Sequence, residues 1–109
     1  MELANLTDCE QLVMKTVWDA ERELSLLDIT QRVNERYDKN WKPQTVSTFL
    51  ARLVKKRYLQ NYRQGRVFFY RILISQEDYV GELAIQFIEF WHQGNEKKFL
   101  ENLKRQRAR

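Results

Sequence analysis

Residues 43–74 read PQTVSTFLARLVKKRYLQNYRQGRVFFYRILI. The stretch changes its period in the middle. In the first half Val46, Phe49, Leu50 and Leu53 recur on one helical face with Val54 beside them, and Pro43 suits a first helical turn, where its missing N–H costs nothing. In the second half Tyr58–Arg63 and Val67–Ile74 are rich in aromatic and β-branched residues, with Gln64-Gly65 between them. The pattern predicts a helix followed by a β-hairpin with a glycine-containing tip. Opposite the apolar stripe the helix carries Gln44, Thr48, Ala51, Arg52 and Lys55, with Thr45, Ser47 and Lys56 on the flanks.

Charge is distributed unevenly around this stretch. From Lys39 to Gln76 there are nine basic side chains and no carboxylate, whereas residues 1–38 have a net charge of −5 and residues 77–109 a net of zero. The overall +4 therefore conceals a polarised chain. An ordinary solvated helix face mixes Glu with Lys, and this one does not. Such a surface suits a polyanion, because each phosphate it neutralises releases condensed counterions.

Outward toward the amino end, Thr7-Asp8-Cys9-Glu10 has the capping-box pattern, and Cys9, Leu12, Val13 and Val17 follow at helical spacing. Helix one is expected from about Asp8 to Asp19. Ser25-Leu26-Leu27-Asp28 repeats the cap signature before a stripe of Ile29, Val33 and Tyr37, and the link Ala20–Leu24 can add a brief strand. Asp38–Lys42 reads as a loop whose one apolar residue is Trp41. Outward toward the carboxyl end, Ser75-Gln76-Glu77-Asp78 caps a long helix, about Gln76 to Gln93, that is apolar nearly all round. One small domain cannot cover such a helix alone, so one side is expected to meet a partner chain. Gly94 stops it, and Asn95 can cap a last helix carrying Phe99, Leu100 and Leu103.

The expected fold class is mainly α with a small β-hairpin: a winged helix-turn-helix over residues 1–74, which binds DNA, and a C-terminal helical dimerisation region over residues 75–109. In that arrangement the third helix enters the major groove and the wing touches the backbone or minor groove. The recognition helix is read as about 43–57 and the wing as about 59–74. Gln44, Thr45, Ser47, Thr48 and Arg52 form the groove-facing set, since Arg can pair with guanine and Gln with adenine while hydroxyl residues allow close approach. Lys42, Lys55, Lys56, Arg63 and Arg66 are read as phosphate contacts. Arg57 and Arg71 suit a structural role equally well. Tyr79, Val80, Leu83, Ala84, Phe87, Ile88 and Trp91 are the expected dimer contacts.

Composition narrows the alternatives. The 109 residues suit one domain with one core, and no apolar run is long enough for a membrane span. The amino end lacks a basic start followed by an apolar stretch, and Cys9 is the lone cysteine, so a reduced compartment such as the cytoplasm is expected. One proline and three glycines favour helices over a many-stranded fold. An enzyme is the opposing class, but the single histidine, His92, falls in a helix committed to packing, and the glycines are isolated. With Cys9 far from His92 no metal site can be argued, and neither catalytic residues nor a cofactor is expected. A winged helix that binds protein instead of DNA is the other alternative. Such modules often lose the basic third helix and wing that this chain keeps.

At this point the residues resemble a known family. Leu6-Thr7-Asp8, Val13-Met14-Lys15 and Trp18 look like the start of the penicillinase-repressor family of bacterial transcriptional repressors. Thr45-Val46, Arg52-Leu53-Val54-Lys55-Lys56 and Tyr58-Leu59 are similar to its recognition helix and first wing strand. Gly65-Arg66, Tyr70 and Ser75-Gln76-Glu77-Asp78-Tyr79 resemble its wing and the start of its dimerisation helix. Gln11 stands where the family often has an aromatic residue, Arg57 where it often has Gly, and Ile72 where it often has Pro. The resemblance implies a homodimer on a palindromic operator that blocks transcription until an inducing signal arrives. In the antibiotic-responsive members it implies a membrane sensor protease upstream, leading to cleavage within the carboxyl-terminal helices; no equivalent bond is identified here. The copper-responsive members carry clustered cysteines, which this chain lacks.

Overall fold

The computed structural model describes Leu3–Arg109. Its elements are α1 (Asp8–Trp18), β1 (Leu24–Ser25), α2 (Leu26–Tyr37), α3 (Pro43–Lys55), β2 (Leu59–Gln64), β3 (Val67–Ile72), α4 (Gln76–His92) and α5 (Glu96–Arg107). Ala4–Gln76 forms one compact unit, and Glu77–Arg109 belongs to a second.

Each of the first two helices is started by a reciprocal cap. Thr7 Oγ1 accepts the Glu10 N–H at 3.2 Å while Glu10 Oε1 accepts the Thr7 N–H at 3.0 Å. Ser25 and Asp28 repeat the exchange at 3.2 and 3.3 Å. These bonds satisfy amide donors that the helix itself cannot pair. The third helix starts differently, with Lys42 at the cap position, no side-chain cap bond, and Pro43 in the first turn. It ends in a Schellman closure, in which the Tyr58 N–H bonds the Leu53 carbonyl and the Arg57 N–H the Val54 carbonyl, both at 3.0 Å. That closure puts Arg57 at φ 68°, in the left-handed region.

Val13, Met14 and Val17 of α1, Ile29 and Val33 of α2, and Val46, Leu50 and Leu53 of α3 meet in the core with Leu24, Tyr58, Leu59 and Tyr70. The α3 stripe lies where its periodicity predicts. In α1 the buried stripe is shifted to Glu10, Val13, Met14 and Val17, while Cys9 and Leu12 are half-buried. The physical reason is that a carboxylate occupies the first inward position, which apolar periodicity alone does not mark.

The sheet is antiparallel with order β1–β3–β2, pairing Leu24 with Tyr70 and Leu59 with Ile72. Gln64 pairs with Val67, so Gly65 and Arg66 make a two-residue loop, and Gly65 takes φ 63° there. A tight hairpin needs a positive φ within such a loop, and Gly adopts it without strain. The strands depart slightly from the expected limits: β2 starts at Leu59, and β3 stops at Ile72. Beyond Ile72 the chain bends, and the Ile74 carbonyl accepts the Trp18 indole N–H at 2.9 Å. The brief extra strand expected near Ala20–Leu24 is Leu24–Ser25.

In the second unit Gln93 and Gly94 both have positive φ, 51° and 81°, which turns the chain between α4 and α5. Asn95 caps α5 by accepting the Lys98 N–H at 3.0 Å. Phe99 lies 5.9 Å from Phe87 and 5.8 Å from His92, ring to ring. Tyr79 is the buried residue of α4, and α5 has none.

An Arg in the left-handed region is strained where Gly is not. Arg57→Gly is expected to stabilise the protein by about 0.5–1 kcal/mol, read as a raised urea midpoint with an unchanged denaturant slope.

Candidate nucleic-acid interface

The helix that buries Val46, Leu50 and Leu53 keeps Gln44, Thr45, Thr48, Ala51, Arg52 and Lys55 exposed and Ser47 half-exposed. Nothing from its own unit covers that edge. The Thr48 hydroxyl donates back to the Gln44 carbonyl at 3.1 Å, and Lys42 stands exposed just before the helix. The wing presents Arg63 and Arg66 on either side of its loop, and the Arg63 guanidinium lies 5.2 Å from the centre of the exposed Phe68 ring. That contact holds a long cation near one orientation without neutralising it.

The cations divide into two groups by their partners. Lys15, Arg22, Arg32, Arg36, Lys56 and Arg71 each pair with a carboxylate. Lys42, Arg52, Lys55, Arg57, Arg63 and Arg66 have no carboxylate partner among the described residues. Within Ala4–Gln76 the unpaired cations, with Lys39 against the Trp41 ring, lie within α3, its ends and the wing, so in this unit the positive charge left unneutralised collects where the exposed polar edge is. The basic residues of α5 and Arg109 have no carboxylate partner among the described residues either.

Two basic residues are structural. Lys56, expected to contact phosphate, turns its ammonium inward, 2.5 Å from Glu10 Oε1 and 2.8 Å from the Asn5 carbonyl. Arg71 pairs with Glu23 at 3.3 Å and lies 4.7 Å from the centre of the Tyr62 ring. The Tyr62 hydroxyl donates to the same Glu23 carboxylate. That hydrogen bond raises the Tyr62 pKa and, with Arg71, lowers that of Glu23. The base of the wing is thereby tied to the segment before β1.

Glu10 is a residue whose role beyond its own helix sequence reasoning missed. Only its capping-box spacing marks it, and that predicts a local role. In the structure it is almost fully buried, with Oε2 lacking a hydrogen-bond partner. Burial raises its pKa, but hydrogen bonds from Lys56 and the Thr7 N–H, with the fields of Lys56 and Arg52, outweigh burial and hold the carboxyl below its ordinary value. The pair joins α1 to the end of α3. Asn34, on α2, was also missed. Its side chain bonds the Trp41 backbone across seven residues of sequence, a spacing that carries no motif.

Of the expected dimer contacts, Tyr79 is already buried in the single chain, while Val80, Leu83, Ala84, Phe87 and Trp91 are exposed and Ile88 is half-buried. Phe90, outside that set, is the most exposed large apolar side chain at 73%. Among the described residues no cluster of His, Cys, Asp and Glu could hold a metal, and no helix is long and apolar enough to cross a membrane.

Comparison with known proteins agrees with this arrangement. The profile of the penicillinase repressor family matches residues 6–108. The chain belongs to that family. It is 29% identical to the penicillinase repressor of Bacillus licheniformis over 93% of this chain and 80% of that one. It is 25% identical to the methicillin resistance regulatory protein MecI of Staphylococcus aureus, over 82% of this chain and 70% of that one. The solution structure of the DNA-binding domain of the repressor BlaI superposes with a TM-score of 0.60 at 31% identity, covering 72% of this chain and 92% of that one. The Bacillus licheniformis BlaI monomer in complex with the blaP half-operator superposes at 0.57, with the same identity and coverage.

Because the Glu10 pKa is lowered on folding, the stability it contributes is present at neutral pH and disappears as pH falls through its native value. Glu10→Gln is expected to lose about 1–2 kcal/mol at pH 7. In urea titrations across acid pH, the variant and the parent should converge as the parent's carboxyl protonates. A gap that stays constant with pH would contradict the assignment.

Proposed function

We propose that this chain is a sequence-specific, DNA-binding transcriptional repressor that acts as a homodimer on an inverted-repeat operator. The observation that carries the reading is an exposed polar edge of α3, flanked by unpaired cations and free of carboxylates. Each protomer presents α3 to a major groove, with Gln44, Thr45, Ser47, Thr48 and Arg52 toward the bases. Lys42, Lys55, Arg63 and Arg66 hold the phosphates. Phosphate contacts supply most of the affinity and set the register, and base contacts supply the choice of site. The relative bound to a half-operator is a monomer, which supports one half-site for each winged helix. A two-fold dimer then reads two half-sites related by the same symmetry.

Dimerisation is assigned to α4 and α5. Val80, Leu83, Phe87 and Trp91 are about half exposed or more on a helix with one buried residue. Burial in a second copy removes that apolar surface from water. Two linked half-site contacts select one site far better than one module can. Repression follows because an occupied operator excludes polymerase. A membrane sensor protease as the upstream inducer, and a cytoplasmic location, belong to the same reading by family analogy.

Binding to an operator duplex and to random duplex across a salt series tests the assignments. Arg66→Ala should weaken both and reduce the salt slope by about one. Arg52→Ala should cost about 1–3 kcal/mol on the operator and relax sequence choice at one position. An Arg66→Ala chain with the parental slope removes the wing from the interface. In sedimentation, Phe87→Glu should give monomers with poor operator affinity; a fully dimeric variant places the interface elsewhere.

A further inference from the structure

Four hydrogen bonds converge on Asn34. Its backbone carbonyl accepts the Asp38 N–H and, at 3.1 Å, the Lys39 N–H, which closes α2. Its side-chain amide grips the backbone of Trp41 from both sides: Nδ2 donates to the Trp41 carbonyl at 2.9 Å, and Oδ1 accepts the Trp41 N–H at 3.0 Å. The Trp41 ring in turn lies 5.1 Å from Phe49 on α3. A continuous set of links therefore runs from α2 through Asn34 and Trp41 to α3.

The recognition helix needs such an external hold. The helices α1, α2 and α5 fix their own first turns with the side chains of Thr7, Ser25 and Asn95, but α3 has Lys42 at that position and no side-chain cap. Pro43 contributes no N–H. Besides the burial of Val46, the hold nearest its first turn is the loop at Trp41, three residues before Gln44.

We propose that Asn34 is a positioning residue for base reading: through Trp41 it sets where Gln44, Thr45 and Thr48 meet the groove. The inference rests on the DNA-binding reading above. Hydrogen bonds to base edges tolerate a few tenths of an ångström, since donor–acceptor distances span only about 2.7–3.2 Å. Lys and Arg on flexible stems follow a phosphate through a larger shift. Loosening the clamp should therefore cost sequence discrimination while leaving general affinity for DNA in place. The carboxamide offers both the donor and the acceptor that Trp41 uses, whereas a carboxylate keeps the acceptor and loses the donor.

The test uses the full chain and two duplexes: one selected by the parent chain from a randomised pool, and a shuffled version of it. Asn34→Ala is expected to lower the ratio of the two affinities about tenfold, the worth of one misplaced base contact. Affinity for the shuffled duplex and its salt slope should stay within about twofold of the parent, with helical circular dichroism retained. Asn34→Asp should fall between the two, and it decides the matter if Asn34→Ala does not fold. Folded variants that keep the parental ratio, or that weaken both duplexes equally, overturn the inference and leave the repressor reading standing. A parent chain that selects no sequence at all overturns both.

Discussion

The structure depends on one helix being held from behind while its front stays bare. Val46, Leu50 and Leu53 are fully buried against α1, α2 and the sheet. Burial of three such side chains contributes several kcal/mol, on the order of 1.5–3 each. Because that energy comes from the inner stripe alone, the outer edge is free to carry residues that contribute nothing to folding. Gln44, Thr48 and Lys55 stand there with no side-chain task beyond a local hydroxyl bond in Thr48, and Arg52 adds only its field at Glu10.

The same economy governs the charges. A cation paired with a carboxylate is of little use to a phosphate, and the amino-terminal unit keeps the two populations apart. Arg32, Arg36, Arg22 and Lys15 are paired around α1 and α2, where the acidic residues are concentrated. On the interface side, Lys56 and Arg71 alone are diverted to structure, each at a joint where an element of the reading surface meets the rest of the unit. Lys56 fastens the end of α3 to α1 through Glu10, and Arg71 fastens the wing to the segment before β1 through Glu23. With Asn34 at the other end of α3, polar side chains hold both of its termini, while apolar packing holds its middle. Polar contacts are directional and apolar ones are not, so the polar ones are suited to fixing placement.

The carboxyl-terminal pair of helices follows the opposite rule. Its aromatic contacts, Phe87 with Phe99 and Phe90 with Trp91, join neighbours without enclosing them. Under the proposed homodimer, the large apolar side chains left in water on α4 are what a second copy covers. The proposed two-fold site gives such a surface a use, and the amino-terminal unit, whose core closes on itself, does not supply it.

Much of this was legible in the order of amino acids, because it depends on local periodicity and local caps. The α3 stripe, the hairpin around Gly65, the side-chain caps at Thr7, Ser25 and Asn95, and the carboxylate-free block all follow from spacing within a few residues. What packing alone settled was the use of particular polar side chains over long separations. Glu10 looked like a cap, is one, and is at the same time the buried partner of a lysine 46 residues away. Lys56 looked like its exposed neighbours until the fold placed its ammonium beside that carboxylate. Asn34 belongs to no motif in its sequence neighbourhood. Spacing along a chain records which face a residue occupies, but an ion pair or a clamp depends on which other element lies opposite, and that is known only once the helices are packed.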